Sequence, residues 1–225
     1  RIGQMLRLPS NGNVRMLDPC CGEGTALADV RQMLVDQRGQ GETTSTEAYG
    51  IELDAERAWH AKKLLDRVLH SDLHDAVVKP RSMGLLFLNP PYGYGVSDKA
   101  SQRELHADAE KAERLERTFL RKTVPYLAYG GVLVYIVPHY ALDEEIRSYL
   151  VRNFQNLRVF MAPERQFKQC VIVGNRCKPA YAPKGAQQFL IEAQASQEGA
   201  AMLPDSWEAA PHEVPAALAE QEPDF

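Results

Sequence analysis

Residues 13–36 run from an apolar stretch, Val14-Arg15-Met16-Leu17, through Asp18-Pro19-Cys20-Cys21-Gly22-Glu23-Gly24, into a helical pattern that starts near Ala26. A strand that turns on glycines straight into a helix constrains the chain to an open α/β sheet, whose ligands sit at the C-terminal ends of its strands. The alternation continues down the chain. The spacing predicts strand 14–17, helix 26–36, strand 48–52, helix 55–68 and strand 85–88. A charged segment from about 103 to 127 carries Ala112, Leu115, Phe119, Leu120 and Thr123 at helical spacing, and Gly130-Gly131 is expected to break it. Strand 132–137, helix 143–153 and strands 157–161 and 169–174 complete the pattern.

The glycines let the backbone of this turn approach a ligand closely. A Gly-x-Gly turn followed some thirty residues later by an acid, here Glu52, is also compatible with a nicotinamide site. Two details point away from that reading. The third glycine of the dinucleotide pattern is absent, because the position three after Gly24 is Leu27. The first strand also ends on Asp18, and a carboxylate there would repel a pyrophosphate while favouring a cationic ligand. Glu52 is placed to accept hydrogen bonds from ribose hydroxyls. S-adenosylmethionine carries a sulfonium, an ammonium and a ribose, and no phosphate.

Asn89-Pro90-Pro91-Tyr92 follows the apolar run Met83-Gly84-Leu85-Leu86-Phe87-Leu88 directly. Two prolines fix the backbone and remove two N–H donors, leaving the Asn89 amide oxygen and the Pro90 carbonyl as acceptors able to converge on one amino group. Tyr92 adds an aromatic face that suits a planar substrate.

Taken together, Asp18-Pro19-Cys20-Cys21-Gly22-Glu23-Gly24, Glu52 and Asn89-Pro90-Pro91-Tyr92 resemble, in this order and spacing, class I S-adenosylmethionine-dependent methyltransferases of the adenine-N6 amino-methylating group. The resemblance spans roughly residues 10–180. It implies a Rossmann-like, seven-stranded, mostly parallel sheet with helices on both faces and an antiparallel last strand. It implies S-adenosylmethionine as cofactor, held by Asp18, Pro19, Cys20, Gly22, Gly24, Glu52, Leu53, Asp72, Leu73 and Asn89, with the Asp72 carboxylate on the adenine amine. It implies Asn89, Pro90, Pro91 and Tyr92 as the catalytic corner, with Tyr92 and Phe167 stacking on an extruded base. For Phe167, a plug under the sheet edge is the competing reading. The implied substrate is adenine N6 in DNA, favoured over RNA. The same motif serves adenine in RNA and glutamine side chains in proteins, and it also fits a cofactor-binding subunit inactive without its partner. No second basic or aromatic-rich domain follows, so a separate specificity subunit is a further expectation.

With 44% hydrophobic content, the 225 residues can bury one substantial α/β core. No run approaches the roughly twenty apolar residues of a membrane span, and no leader is visible, so a cytoplasmic protein is expected. The chain opens at Arg1 rather than Met, and the resemblance implies that residues ahead of the first strand close over the cofactor's methionine moiety, so part of the cofactor site is expected to lie outside it. Cys20, Cys21, Cys170 and Cys177 lack zinc-knuckle spacing, and His70 and His74 lack an intervening Glu, so no metal site is expected. Charge divides the chain: residues 1–184 hold all 26 basic residues against 22 acids, whereas 185–225 hold eight acids and no Lys or Arg. The division suggests a methyltransferase domain over 1–184 and a flexible, acidic, Pro/Ala-rich tail over 185–225.

Overall fold

A computed structural model describes residues 1–91 and 115–217. A 3-10 turn, Ile2–Met5, leads into β1 (Leu6–Arg7), then β2 (Asn13–Asp18), α1 (Thr25–Asp36), β3 (Ser45–Glu52), α2 (Ala55–Ala61), β4 (Arg67–His70) and β5 (Met83–Leu88). After the undescribed stretch come α3 (115–123), β6 (Leu127–Pro138), α4 (Glu144–Asn153), β7 (Phe154–Met161), β8 (Gln169–Arg176), α5 (Gln188–Ala195) and β9 (His212–Glu213). Tyr92, the glycine-bearing loop 93–99 and the charged stretch 103–114 lie outside the described residues.

The main sheet has seven strands in the order β4-β3-β2-β5-β6-β8-β7. Every neighbouring pair is parallel except those of β8, which runs antiparallel to both β6 and β7. This is the α/β architecture that the alternation implied, in the Rossmann-like form that the resemblance implied, with the reversed last strand slotted inside the edge. β5 reads as an unbroken apolar run because a central parallel strand is covered on both faces. On one face Leu17, Ile51, Leu86, Leu88, Leu133 and Tyr135 meet Leu120 of α3, Ile146 and Leu150 of α4 and Leu190 of α5. On the other, Met16, Leu85, Phe87 and Val134 meet Leu27, Val30 and Leu34 of α1. Among the described residues no helix is long and apolar enough to cross a membrane.

Three expectations need correction. The helix expected over 55–68 ends at Ala61, and its last residues belong to β4. Ala58, Ala61, Leu65 and Val68 have helical spacing, but Asp66 grips β3 from both its backbone and its side chain: Asp66 N–H donates to the Ala48 carbonyl (2.9 Å) and Asp66 Oδ2 accepts from Ala48 N–H (2.7 Å). A four-residue edge strand with two polar ends shows too little alternation to compete with that spacing. Gly130-Gly131 does not break the chain before β6. The strand already starts at Leu127, and Gly130, at φ 83°, lies where the pairing with β5 slips from Met83–Leu127 to Leu85–Val132, as at a bulge.

The third correction concerns the tail. As far as residue 217 it is seated on the core. α5 buries Leu190 and Ala193, the Leu203 N–H donates to the Met161 carbonyl (2.9 Å), and β9 pairs in parallel with β1. Its acids meet arginines of the preceding domain: Asp205 with Arg1 (2.5 Å), Glu213 with Arg7 (2.9 Å) and Glu198 with Arg165 (3.3 Å). Each pair is exposed enough to be worth little alone, so the attachment rests on the buried anchors Leu190, Leu203 and Val214. These anchors are too far apart for any periodicity to reveal them.

Gly84 tests this attachment. A Cβ on Gly84 would lie 2.4 Å from the Pro215 carbonyl oxygen and 3.2 Å from Val214 Cγ1. Gly84→Ala should therefore lower unfolding free energy by about 1–3 kcal/mol in urea melts. A variant as stable as the parent would mean that the C-terminal segment does not rest on β5.

Candidate active site

The strand order sets the ends of β3, β2 and β5 side by side, with β4 beyond β3, so Glu52, Asp18, Asn89 and Asp72 come from four adjacent strand ends. Glu52, Asp72 and Asn89 border a cleft of about 300 Å³, within the size range of small-molecule sites. Of the residues anticipated from the sequence, Pro19, Cys20, Glu52, Leu53, Asp72, Leu73, Asn89 and Pro91 line it. Asp18, Gly22 and Gly24 lie around the loop without lining the cleft, and Tyr92 is not described.

The loop is held by charge and by shape. Gly22, at φ 54°, donates its N–H to Glu52 Oε2 (2.8 Å), and Cys21 N–H donates to the Ile51 carbonyl (3.0 Å), so the turn after β2 hangs on the end of β3. A Cβ on Gly22 would meet nothing within 4 Å, which leaves an open cradle in front of that backbone. Gly24, at φ 83°, caps α1 and leaves space for Ala61 and Leu65, whose atoms would stand 3.1–3.2 Å from a Cβ. Asp18 supports the loop from below, with its Oδ1 accepting the Cys20 N–H (3.0 Å). Burial pushes its carboxyl up to about 7; the Cys20 hydrogen bonds oppose the shift and the nearby Glu52 charge adds to it.

Glu52 is buried, with 6% exposure, yet multiply held. Its Oε1 accepts from Asp54 N–H (2.9 Å) and pairs with Arg57 Nη2 (3.0 Å). Asp72 lies across the cleft in a turn closed by the His74 N–H on its Oδ1 (2.7 Å), and the Ser71 N–H on the Glu52 carbonyl (3.0 Å) joins that turn to β3.

The proline corner is fastened to the glycine loop. Cys20 Sγ donates to the Asn89 carbonyl oxygen (3.0 Å). Burial pushes the Cys20 thiol well above its ordinary pKa, with Asp18 adding to the shift, so it remains a protonated donor. Pro90 is buried and Pro91 exposed on the cleft wall. Phe167 ends a 3-10 turn just before β8 and is 58% exposed, which does not fit a plug. Because β8 is antiparallel to β6 and Gln169 pairs with Pro138, Phe167 lies at the same sheet edge as Asn89, though outside the cleft lining.

Sequence reasoning missed Arg57, Ser71, His74, Leu115 and Phe119, all of which line the cleft. Leu115 and Phe119 carried a signal, since they are an i, i+4 apolar pair on the charged helix. Arg57 carried a weaker one, as a cation in the first turn of the helix that follows Glu52. All four cysteines are free, and no group of three or more His, Cys, Asp or Glu side chains able to hold a metal converges among the described residues.

A seven-stranded sheet in this order, with a glycine turn and an acid at the ends of adjacent strands, is the fold of class I S-adenosylmethionine-dependent methyltransferases. The chain belongs to the uncharacterised methyltransferase family DUF6094, whose profile matches residues 1–211. No protein of curated function matches the sequence. Among solved structures, one similar to it is a Listeria monocytogenes protein described as a class I S-adenosylmethionine-dependent methyltransferase (TM-score 0.56, 19% identity, 77% of this chain and 57% of that one). Another is the methyltransferase subunit of a type I restriction-modification system from Streptococcus thermophilus (TM-score 0.55, 15% identity, 84% of this chain and 49% of that one). A third is TrmN from Thermus thermophilus (TM-score 0.50, 19% identity, 76% and 45%). The chain thus spans about half the length of these proteins.

Asp18 makes the site's electrostatics measurable. A carboxyl raised from 3.8 to about 7 on folding keeps its proton in the folded state where the unfolded chain has lost it. Its contribution to stability is therefore fully present below about 4 and declines as pH rises through about 7. Asp18→Asn should stabilise the protein relative to the parent at pH 8, by on the order of 2–4 kcal/mol, with the difference shrinking towards pH 4. Urea denaturation across that range reads it, and a difference that does not vary with pH would mean that Asp18 titrates normally.

Proposed function

We propose that this chain is an S-adenosylmethionine-dependent N-methyltransferase whose substrate is the N6 amine of adenine in DNA. The observation that carries the reading is Asn89, which stands at the end of β5, lines the cleft, and begins the Asn-Pro-Pro-Tyr corner. The donor set suits the cofactor. Glu52 and Asp72 are acceptors for hydroxyl and amino groups, and Gly22 opens a cradle. When bound, S-adenosylmethionine supplies an electrophilic methyl group on a sulfonium that departs as a neutral thioether.

The protein's task is to present the nucleophile. An adenine amine is weakly nucleophilic because its lone pair is delocalised into the ring. The Asn89 side-chain oxygen and the Pro90 carbonyl accept its two N–H bonds and favour the pyramidal nitrogen of an in-line displacement. No donor among the described residues occupies the Pro90 carbonyl. The methylated nitrogen is acidic and releases one proton to solvent, so no dedicated base is needed. A base in a duplex must first be extruded, with Tyr92 and exposed Phe167 replacing its stacking.

The Asn89 backbone, not its side chain, accepts the Cys20 thiol, so Asn89→Ala keeps the tie between corner and loop. The variant should lose methyl transfer to unmethylated DNA by at least about a hundredfold. Its affinity for S-adenosylhomocysteine should stay within about threefold of the parent, a difference of less than 1 kcal/mol. Transfer from radiolabelled cofactor and calorimetric titration measure the two separately. An equal collapse of both would place Asn89 in cofactor binding rather than catalysis, and parent transfer to RNA or protein instead of DNA would displace the substrate assignment.

A further inference from the structure

Glu52 is too fully occupied to hold both hydroxyls of a ribose. An ionised carboxylate offers about four lone-pair sites. Oε2 accepts the Gly22 N–H, while Oε1 accepts both the Asp54 N–H and Arg57 Nη2. The two backbone donors belong to the glycine loop and to the turn that starts α2, so neither can leave without dismantling the site. One acceptor position, on Oε2, remains.

We infer that Arg57 is a cofactor-binding residue that completes ribose recognition, with Glu52 accepting from one hydroxyl and Arg57 donating to hydroxyl oxygen. The inference rests on the cofactor reading above. A hydroxyl is donor and acceptor at once, and a guanidinium has five N–H donors in a fixed fork, of which the Glu52 contact uses one. Arg57 lines the cleft. Its backbone N–H donates to Asp54 Oδ1 (2.9 Å), which caps α2, and its Nε lies 3.9 Å from the same oxygen. Glu52 Oε1 holds one end of the fork, and with the side chain 56% exposed the other N–H groups remain accessible. The pair therefore presents an acceptor and donors side by side, a combination that a lone carboxylate cannot offer.

Calorimetric titration of the full chain with S-adenosylhomocysteine and with its 2′,3′-dideoxy analogue tests the assignment. Arg57→Ala should weaken binding of S-adenosylhomocysteine by about tenfold or more, leave the dideoxy analogue unchanged, and be partly rescued by Arg57→Lys. Undiminished analogue binding shows at the same time that the variant is folded. Unchanged or tighter binding of S-adenosylhomocysteine would mean that Arg57 only fills an acceptor the ribose needs, and equal losses for both ligands would mean that it acts through charge or through α2. Either result overturns the assignment while leaving the cofactor reading intact, whereas a parent protein that binds neither ligand overturns both.

Discussion

The Glu52 carboxylate is the contact to which the rest of the cleft is registered. It takes the Gly22 N–H from the turn after β2 and the Asp54 N–H from the turn into α2, so one buried charge fixes two loops from neighbouring strands. A buried carboxylate is stable only when its acceptors are satisfied, and donors in this number meet that need. From there the order propagates. The glycine turn fixes Cys20, and the Cys20 thiol fixes the Asn89 carbonyl, so the corner at β5 is positioned from the end of β3 through the strand between them. The cleft and the proline corner are thus one hydrogen-bonded unit rather than two adjacent features.

Much of this was legible in the sequence. Glycines, prolines and an acid at strand ends are read directly, because each restricts backbone geometry or demands a partner at that position. The central strands announce themselves as apolar runs because both faces are buried. β4 did not, since an edge strand of four residues with Arg67 and His70 at its ends offers no alternation to set against the helical spacing before it. Asp18 was anticipated beside a cationic ligand and as a support of the glycine loop; it holds the Cys20 N–H and does not line the cleft. A residue's side of a turn depends on the turn's φ angles, which spacing does not encode. Arg57 was missed because its partner lies across a helix start, outside any motif.

The acidic C-terminal segment shows the limit of composition as a guide. Pro, Ala and unbalanced acids describe a solvated chain when nothing is known of what lies beside them. Here Leu190 packs into the core on one face of the sheet and Leu203 and Val214 into that on the other, and three of the acids meet Arg1, Arg7 and Arg165. The segment joins the first strand to the far edge of the sheet and covers β5 at Gly84. Its acids offset the positive excess of residues 1–184, which is therefore not presented whole to a nucleic acid.

The central claim is that the Asn89 corner and the Glu52 cleft together move a methyl group onto an adenine amine. Nucleoside mass spectrometry on DNA and RNA from cells producing the protein, beside cells producing its Asn89→Ala form, measures that most directly. The account predicts N6-methyladenine in DNA that rises with the parent and stays at background with the variant. N6-methyladenine at background with both, or a rise that the variant matches, would contradict it.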